Sequence, residues 1–72
     1  MYRKVEWEIV KDGKIMLPNG DIVIIERCYD KANKNIEVVH IRKYGRTGRR
    51  GFTLGKNSIG EFIKVLQEVV KD

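Results

Sequence analysis

Seventy-two residues make one small domain, expected to span residues 1–72, with no room for a second core. One cysteine, Cys28, and one histidine, His40, exclude an internal disulfide framework and leave too few soft ligands for a structural metal. No metal or organic cofactor is therefore expected, and packing or a second copy of the chain must supply stability. The net charge of +5 is concentrated: five cations (Arg42, Lys43, Arg46, Arg49, Arg50) and no acid lie between Arg42 and Arg50, while the other ten Lys and Arg match the ten Asp and Glu. A dispersed excess speaks mainly to solubility, whereas a concentrated one marks a site for a polyanion.

The longest aliphatic run, Ile22-Val23-Ile24-Ile25, is far short of the ~20 residues a membrane span needs. Met1-Tyr2-Arg3-Lys4-Val5-Glu6-Trp7-Glu8 has no apolar segment of the signal-peptide kind. The expectation is an intracellular protein, cytoplasmic and nucleoid-associated or nuclear, without a membrane partner.

In chain order, Val5-Glu6-Trp7-Glu8-Ile9-Val10 alternates with the period of a half-buried strand. Asp12-Gly13 and Pro18-Asn19-Gly20-Asp21 read as turns, leaving Ile15-Met16-Leu17 for a short strand between them. Ile22 to Tyr29 is β-branched and apolar on both faces at its start, as a central strand would be. Asp30 to Asn35 is a polar loop, and Ile36 to Tyr44 is the clearest long strand. Gly45 to Gly51 reads as a glycine-rich loop before a short strand, Phe52-Thr53-Leu54. Ile59, Phe62, Ile63, Leu66, Val69 and Val70 then fall on one face of an amphipathic helix. Ser58-Ile59-Gly60-Glu61 fits a capping box at its start, with Asn57 as the competing cap. The order predicts an α+β fold: a curved antiparallel sheet of four to five strands followed by one C-terminal helix. The width of the apolar stripe, with Val65 beside it, leaves room for a helix–helix contact in a dimer.

One helix covers only one face of such a sheet. Glu37, Val39, Ile41 and Lys43 form the better helix-side set, so His40, Arg42 and Tyr44 face outward. If residue 29 pairs with residue 36, Arg27 and Tyr29 join that outward face, at the cost of turning Glu26 inward. Trp7 reads as core, dimer contact or base-stacking platform, with core or dimer contact favoured because Val5 and Ile9 share its face.

The segment Gly45-Arg46-Thr47-Gly48-Arg49-Arg50-Gly51 has the composition of a phosphate-cradling loop without a nucleotide-binding fingerprint. Its glycines are spaced by three, unlike G-x-G-x-x-G. Gly51 to Asn57 misses a Walker motif by one residue and has Asn57 where Ser or Thr would hold magnesium. Two readings stay open, a solvated turn between strands and a nucleic-acid contact. Arginine offers forks for phosphate and a plane for bases, and Tyr44 beside it offers a stacking platform. The catalytic pairing that His40 and Cys28 invite lacks a third, orienting group, so no enzyme is expected.

The run Ile36-Glu37-Val38-Val39-His40-Ile41-Arg42-Lys43-Tyr44, then Gly48-Arg49-Arg50-Gly51-Phe52-Thr53-Leu54 and the helix, resembles the transcriptional coactivator family of positive cofactor four. The pieces that match its pattern are Ile41-Arg42-Lys43-Tyr44 and Gly51-Phe52-Thr53-Leu54, and their order carries the likeness. It covers Ile36 to Val70 and extends more loosely back to Ile22. The resemblance implies a homodimer whose curved sheets form grooves for single-stranded DNA. Arg42 and Tyr44 match the family's outward arginine and aromatic, Arg49 and Arg50 its basic pair, and Tyr29 the aromatic ending the preceding strand. Gly45 stands where some members have a further tryptophan, and about the first 20 residues have no counterpart, which allows an additional strand pair. No Ser- or Lys-rich tail accompanies the domain in this sequence.

The expected function is sequence-non-specific binding of single-stranded DNA by a homodimer, in coactivator-like transcription regulation, replication or repair. The expected contacts are Arg27, Tyr29, His40, Arg42, Tyr44, Arg46, Arg49 and Arg50. RNA or melted duplex is a related ligand, and the transcription machinery a further partner. The alternatives are a duplex-DNA architectural protein, an RNA binder, or a basic module that docks an acidic protein surface.

Overall fold

The computed structural model describes residues 4–46 and 48–71; Thr47, in the basic loop, lies outside the described residues. Four antiparallel strands, β1 (Trp7–Met16), β2 (Ile22–Asp30), β3 (Asn33–Gly45) and β4 (Gly48–Gly55), form a curved sheet in the order β1-β2-β3-β4. Helix α1 (Lys56–Val70) follows, which makes the chain α+β.

Four local expectations are corrected, one of them at the basic segment, where Gly45 to Gly51 is no seven-residue loop: β3 runs to Gly45 and β4 already starts at Gly48. Asp12-Gly13 does not turn; it lies inside β1, which pairs with β2 along its length. The irregularity near it is a bulge, since the register passes from Ile9↔Cys28 to Lys11↔Arg27 with Val10 left over. A bulge admits one extra residue without ending the strand, so there are four strands rather than five. The hairpin turn comes at Leu17–Asp21, where Leu17 N–H donates to the Asp21 carbonyl (2.8 Å) and Asp21 N–H to the Asn19 side-chain oxygen (3.0 Å).

The β2–β3 turn is tighter than the polar loop suggests. The Asp30 carboxylate accepts the Ala32 N–H at 2.9 Å, and Asp30 pairs with Asn33. A register shift between Tyr29 and Asp30 then leaves Lys34, Asn35 and Ile36 over on β3 and pairs Tyr29 with Glu37, one residue from the register that would turn it outward. Since side chains alternate with a period of two, that single step moves Arg27 and Tyr29 to the helix side and turns Glu26 away from it.

The capping box does not form. Helix α1 begins at Lys56, directly from Gly55 in extended backbone, with no side-chain cap, and Ser58 is already inside the first turn. The Lys56 ammonium instead meets the Glu37 carboxylate of β3 at 2.8 Å, and this hydrogen bond holds the Glu37 carboxyl below its ordinary range.

The helix lies over β3 and β4, with Phe52 and Phe62 ring centroids 5.8 Å apart. Packing stops there. Cys28 and Val39 are the only buried hydrophobic residues among those described, and α1 buries none of its own. Leu66 remains 50% exposed and Val69 74%. An apolar groove of about 490 Å³ stays open between α1 and the strands, lined by Gly13, Ile25, Val39, Ile41, Phe62, Ile63 and Leu66 among others. Among the described residues, no helix is long and apolar enough to cross a membrane.

Candidate nucleic-acid interface

The β3–β4 hairpin builds the basic site. Its turn needs Gly48, whose φ of 110° lies in the region that side-chain-bearing residues avoid. Past the turn, Tyr44 pairs with Arg49, Arg42 with Gly51, and His40 with Thr53, which places these residues on the face opposite the helix. Arg50 pairs with Lys43 and so belongs to the other face.

Gly51 sets the spacing of the site. A Cβ there would lie 2.6 Å from the Ile41 carbonyl oxygen and 3.1 Å from Arg42 Cα, so only glycine lets β4 approach β3 this closely. Arg42, Arg49 and Arg50 surround a cavity of about 210 Å³, whose remaining lining is Gly51, Phe52 and Thr53. Guanidinium groups gathered at one cavity suit an anion that several forks can share. The Arg49 guanidinium carbon lies 6.0 Å from the centre of the Tyr44 ring, the outer range of a cation–π contact.

Arg42 is also engaged within the sheet. Its Nη1 donates to Glu26 Oε1 of β2 at 2.5 Å, with the arginine side chain 37% exposed and the glutamate 13%. Arg46 lies elsewhere, beside an open depression shared with Asn19, Asp21 and Lys43. There an acid is already present, because Lys43 Nζ is 3.6 Å from Asp21 Oδ2.

The remaining candidate residues divide between a buried position and the helix side of the sheet. His40 is only 7% exposed; its Nδ1 is 2.7 Å from Thr53 Oγ1, and Trp7 stands edge-on to its ring at a centroid distance of 5.3 Å. Burial foremost, then the Arg42 charge, push its pKa below the ordinary histidine value, with Glu26 opposing. The expectation that His40 faces outward as an exposed side chain is corrected: it is buried within this face, which leaves its ring little access to a base or a phosphate. Arg27 lines the apolar groove beneath α1, and Tyr29 lies on that same side with Lys34 Nζ 5.9 Å from its ring centre. The face carrying Arg42 and Tyr44 therefore lacks both.

Glu26 was missed as a member of this face, and the sequence contains only part of the signal. Asp30 followed by Lys31-Ala32-Asn33 is a four-residue turn with Asp at its first position, where its side chain caps the turn. A two-residue turn alone would carry Glu26 opposite Glu37 on the helix side; the register shift between Tyr29 and Asp30 is what brings Glu26 opposite His40 and Ile24 opposite Arg42. Cys28, the other chemically notable group, is 1% exposed, and burial, helped by the nearby Glu26 charge and opposed by Arg42, pushes its thiol pKa up. No protein-family model, curated protein or solved structure matches the chain.

Proposed function

We propose that the chain binds single-stranded DNA without sequence preference, as a homodimer, where single strands are exposed in transcription, replication or repair. The convergence of Arg42, Arg49 and Arg50 on one cavity beside Tyr44 carries the reading. Arg49 and Arg50, with Arg46 at the turn, neutralise phosphates, and Tyr44 stacks on a base. Every base offers a π-face, so stacking of this kind tolerates any sequence. The motif order that resembles the positive cofactor four family, and a sheet-then-helix fold of the kind that resemblance implies, support the same reading.

Dimerisation rests on the unfinished core. A chain of 72 residues that leaves its helix stripe half exposed and an apolar groove open beneath it has surface to bury against a second copy. An isologous contact would join the same patch on both subunits.

The test is a fluorescence-anisotropy titration of mixed-sequence single-stranded DNA, duplex DNA and RNA of equal length over a range of salt. Tightest binding to single strands, weakening steeply with salt, is expected. Equal or better binding to duplex or RNA would reassign the ligand. No affinity for any of them at low salt would leave the acidic-protein docking module as the better account of the basic segment.

A further inference from the structure

We propose that Glu26 is an internal competitor for Arg42, occupying this arginine where a phosphate would otherwise sit. The inference rests on the single-strand reading above and adds to it which of the clustered arginines is withheld from the ligand.

Three observations support it. Arg42 lines the same cavity as Arg49 and Arg50, so its position is that of an anion contact. Its Nη1 is nevertheless committed to Glu26 Oε1. Glu26 is also the more buried partner, at 13% exposure against 37%, so exchange is unfavourable: a phosphate that captured Arg42 would strand a carboxylate away from water. The bound pair has no net charge. While it persists, Arg42 releases no counterion when DNA arrives, and the salt dependence comes from the other basic residues. Glu26 at the same time relieves the repulsion of three guanidinium groups gathered at one cavity. The carboxylate thus acts as the ligand's stand-in within the free protein.

The salt slope of binding discriminates, because it counts phosphates neutralised and is little changed by a distant charge. Glu26→Gln keeps the shape and removes the charge. It should tighten single-strand binding about two- to fivefold, the gain from one further solvent-accessible arginine–phosphate contact. It should also steepen the plot of log K against log salt by about 0.7 per subunit engaged. Adding Arg42→Gln to Glu26→Gln should return the slope to the parent value. Glu26→Ala, which also frees Arg42, repeats the test if Glu26→Gln does not fold by circular dichroism. Asp12→Asn is the control for general charge, since Asp12 pairs with Glu26 across β1 and β2.

An unaltered slope in the folded Glu26 variants, an equal steepening in Asp12→Asn, or a steepening that survives Arg42→Gln in the Glu26→Gln background would each overturn the competitor role while leaving the binding reading intact. A parent protein with no affinity for single strands at low salt would overturn the reading and this inference with it.

Discussion

Tyr44 and Arg49 face one another across the β3–β4 hairpin, with the Arg49 guanidinium carbon 6.0 Å from the centre of the Tyr44 ring. An aromatic plane and a cation so placed can engage a base and its phosphate together. The two contributions separate by substitution. Tyr44→Ala is expected to cost ~1–3 kcal/mol of single-strand affinity and to leave the salt slope nearly intact. Tyr44→Phe should be almost silent, since the ring stacks and the hydroxyl is not required. Anisotropy titrations at several salt concentrations check both. Parent-like binding by a folded Tyr44→Ala would place the base contact elsewhere.

Charge should behave in the opposite way. Replacing Arg49 and Arg50 together with alanine should weaken binding to all sequences alike and flatten the salt slope by about 0.7 for each phosphate left without its arginine. Arg27 lines the groove under α1, on the other side of the sheet from Tyr44 and Arg49. Arg27→Ala should leave the slope as it is. A flattening by Arg27→Ala equal to that of the double variant would show that the helix side meets the nucleic acid.

His40 gives the fold a pH dependence of known sign. Its folded pKa lies below the unfolded value of about 6.5, because burial and Arg42 disfavour the cation. Above that value the ring is neutral in both states and costs nothing. As pH falls below it, the unfolded chain takes up the proton first, so stability declines until pH reaches the folded pKa and then levels. Urea midpoints measured at fixed protein concentration between about pH 7.5 and pH 5 should fall. Substituting His40→Gln should remove that part of the decline. Carboxylates such as Glu37, held low by Lys56, lose their contribution at more acid pH, outside this window. Identical profiles for parent and His40→Gln would exclude the histidine as the cause.

The legible parts of this fold are those with a sustained period. The alternation of Ile36 to Tyr44 assigns Val39 and Ile41 to the helix side and Arg42 and Tyr44 to the other, as observed. The 3.6-residue spacing from Ile59 to Val70 likewise identifies the helix. What failed was the connection between periods. A bulge at Val10 shifts one register by one residue and an irregularity between Tyr29 and Asp30 leaves three residues of β3 over, and any odd shift exchanges faces. Arg27 and Tyr29 left the site by that route, and Glu26 entered it. Burial of His40 was illegible for a different reason: it depends on Trp7, which is distant in sequence and reaches the histidine only through the folded sheet.

Two glycines should respond to alanine in opposite directions. At Gly51 a Cβ would press on the Ile41 carbonyl oxygen at 2.6 Å, and the neighbour is backbone that cannot swing aside. Gly51→Ala should cost about 1–3 kcal/mol of stability, as overpacking does, and weaken DNA binding by moving β4 with Arg49 and Arg50. At Gly13, inside β1, a Cβ would meet nothing within 4 Å, and the backbone does not have a positive φ. Gly13→Ala should be neutral or stabilising by up to about 1 kcal/mol through the unfolded state. Chemical denaturation of both variants decides, and a Gly51→Ala as stable as the parent would mean that β4 is free to shift.

The proposed homodimer is testable through its apolar surface. Ile63 and Leu66 line the open groove, and each is about half exposed. If a second copy covers them, folding and association are linked, and the parent's melting temperature should rise with protein concentration. Light scattering should give twice the chain mass at micromolar concentration. Leu66→Lys puts a charge into a surface that must desolvate on pairing, while costing little to a solvated helix, so it should shift the mass towards the monomer. Such a monomer should be less stable than the parent, since few hydrophobic residues are buried within one chain. If Leu66→Lys unfolds outright, the parent's concentration dependence still decides. A parent that scatters as a monomer, with helix intact and a melting temperature independent of concentration, would mean that the groove and the helix stripe are not a self-association surface.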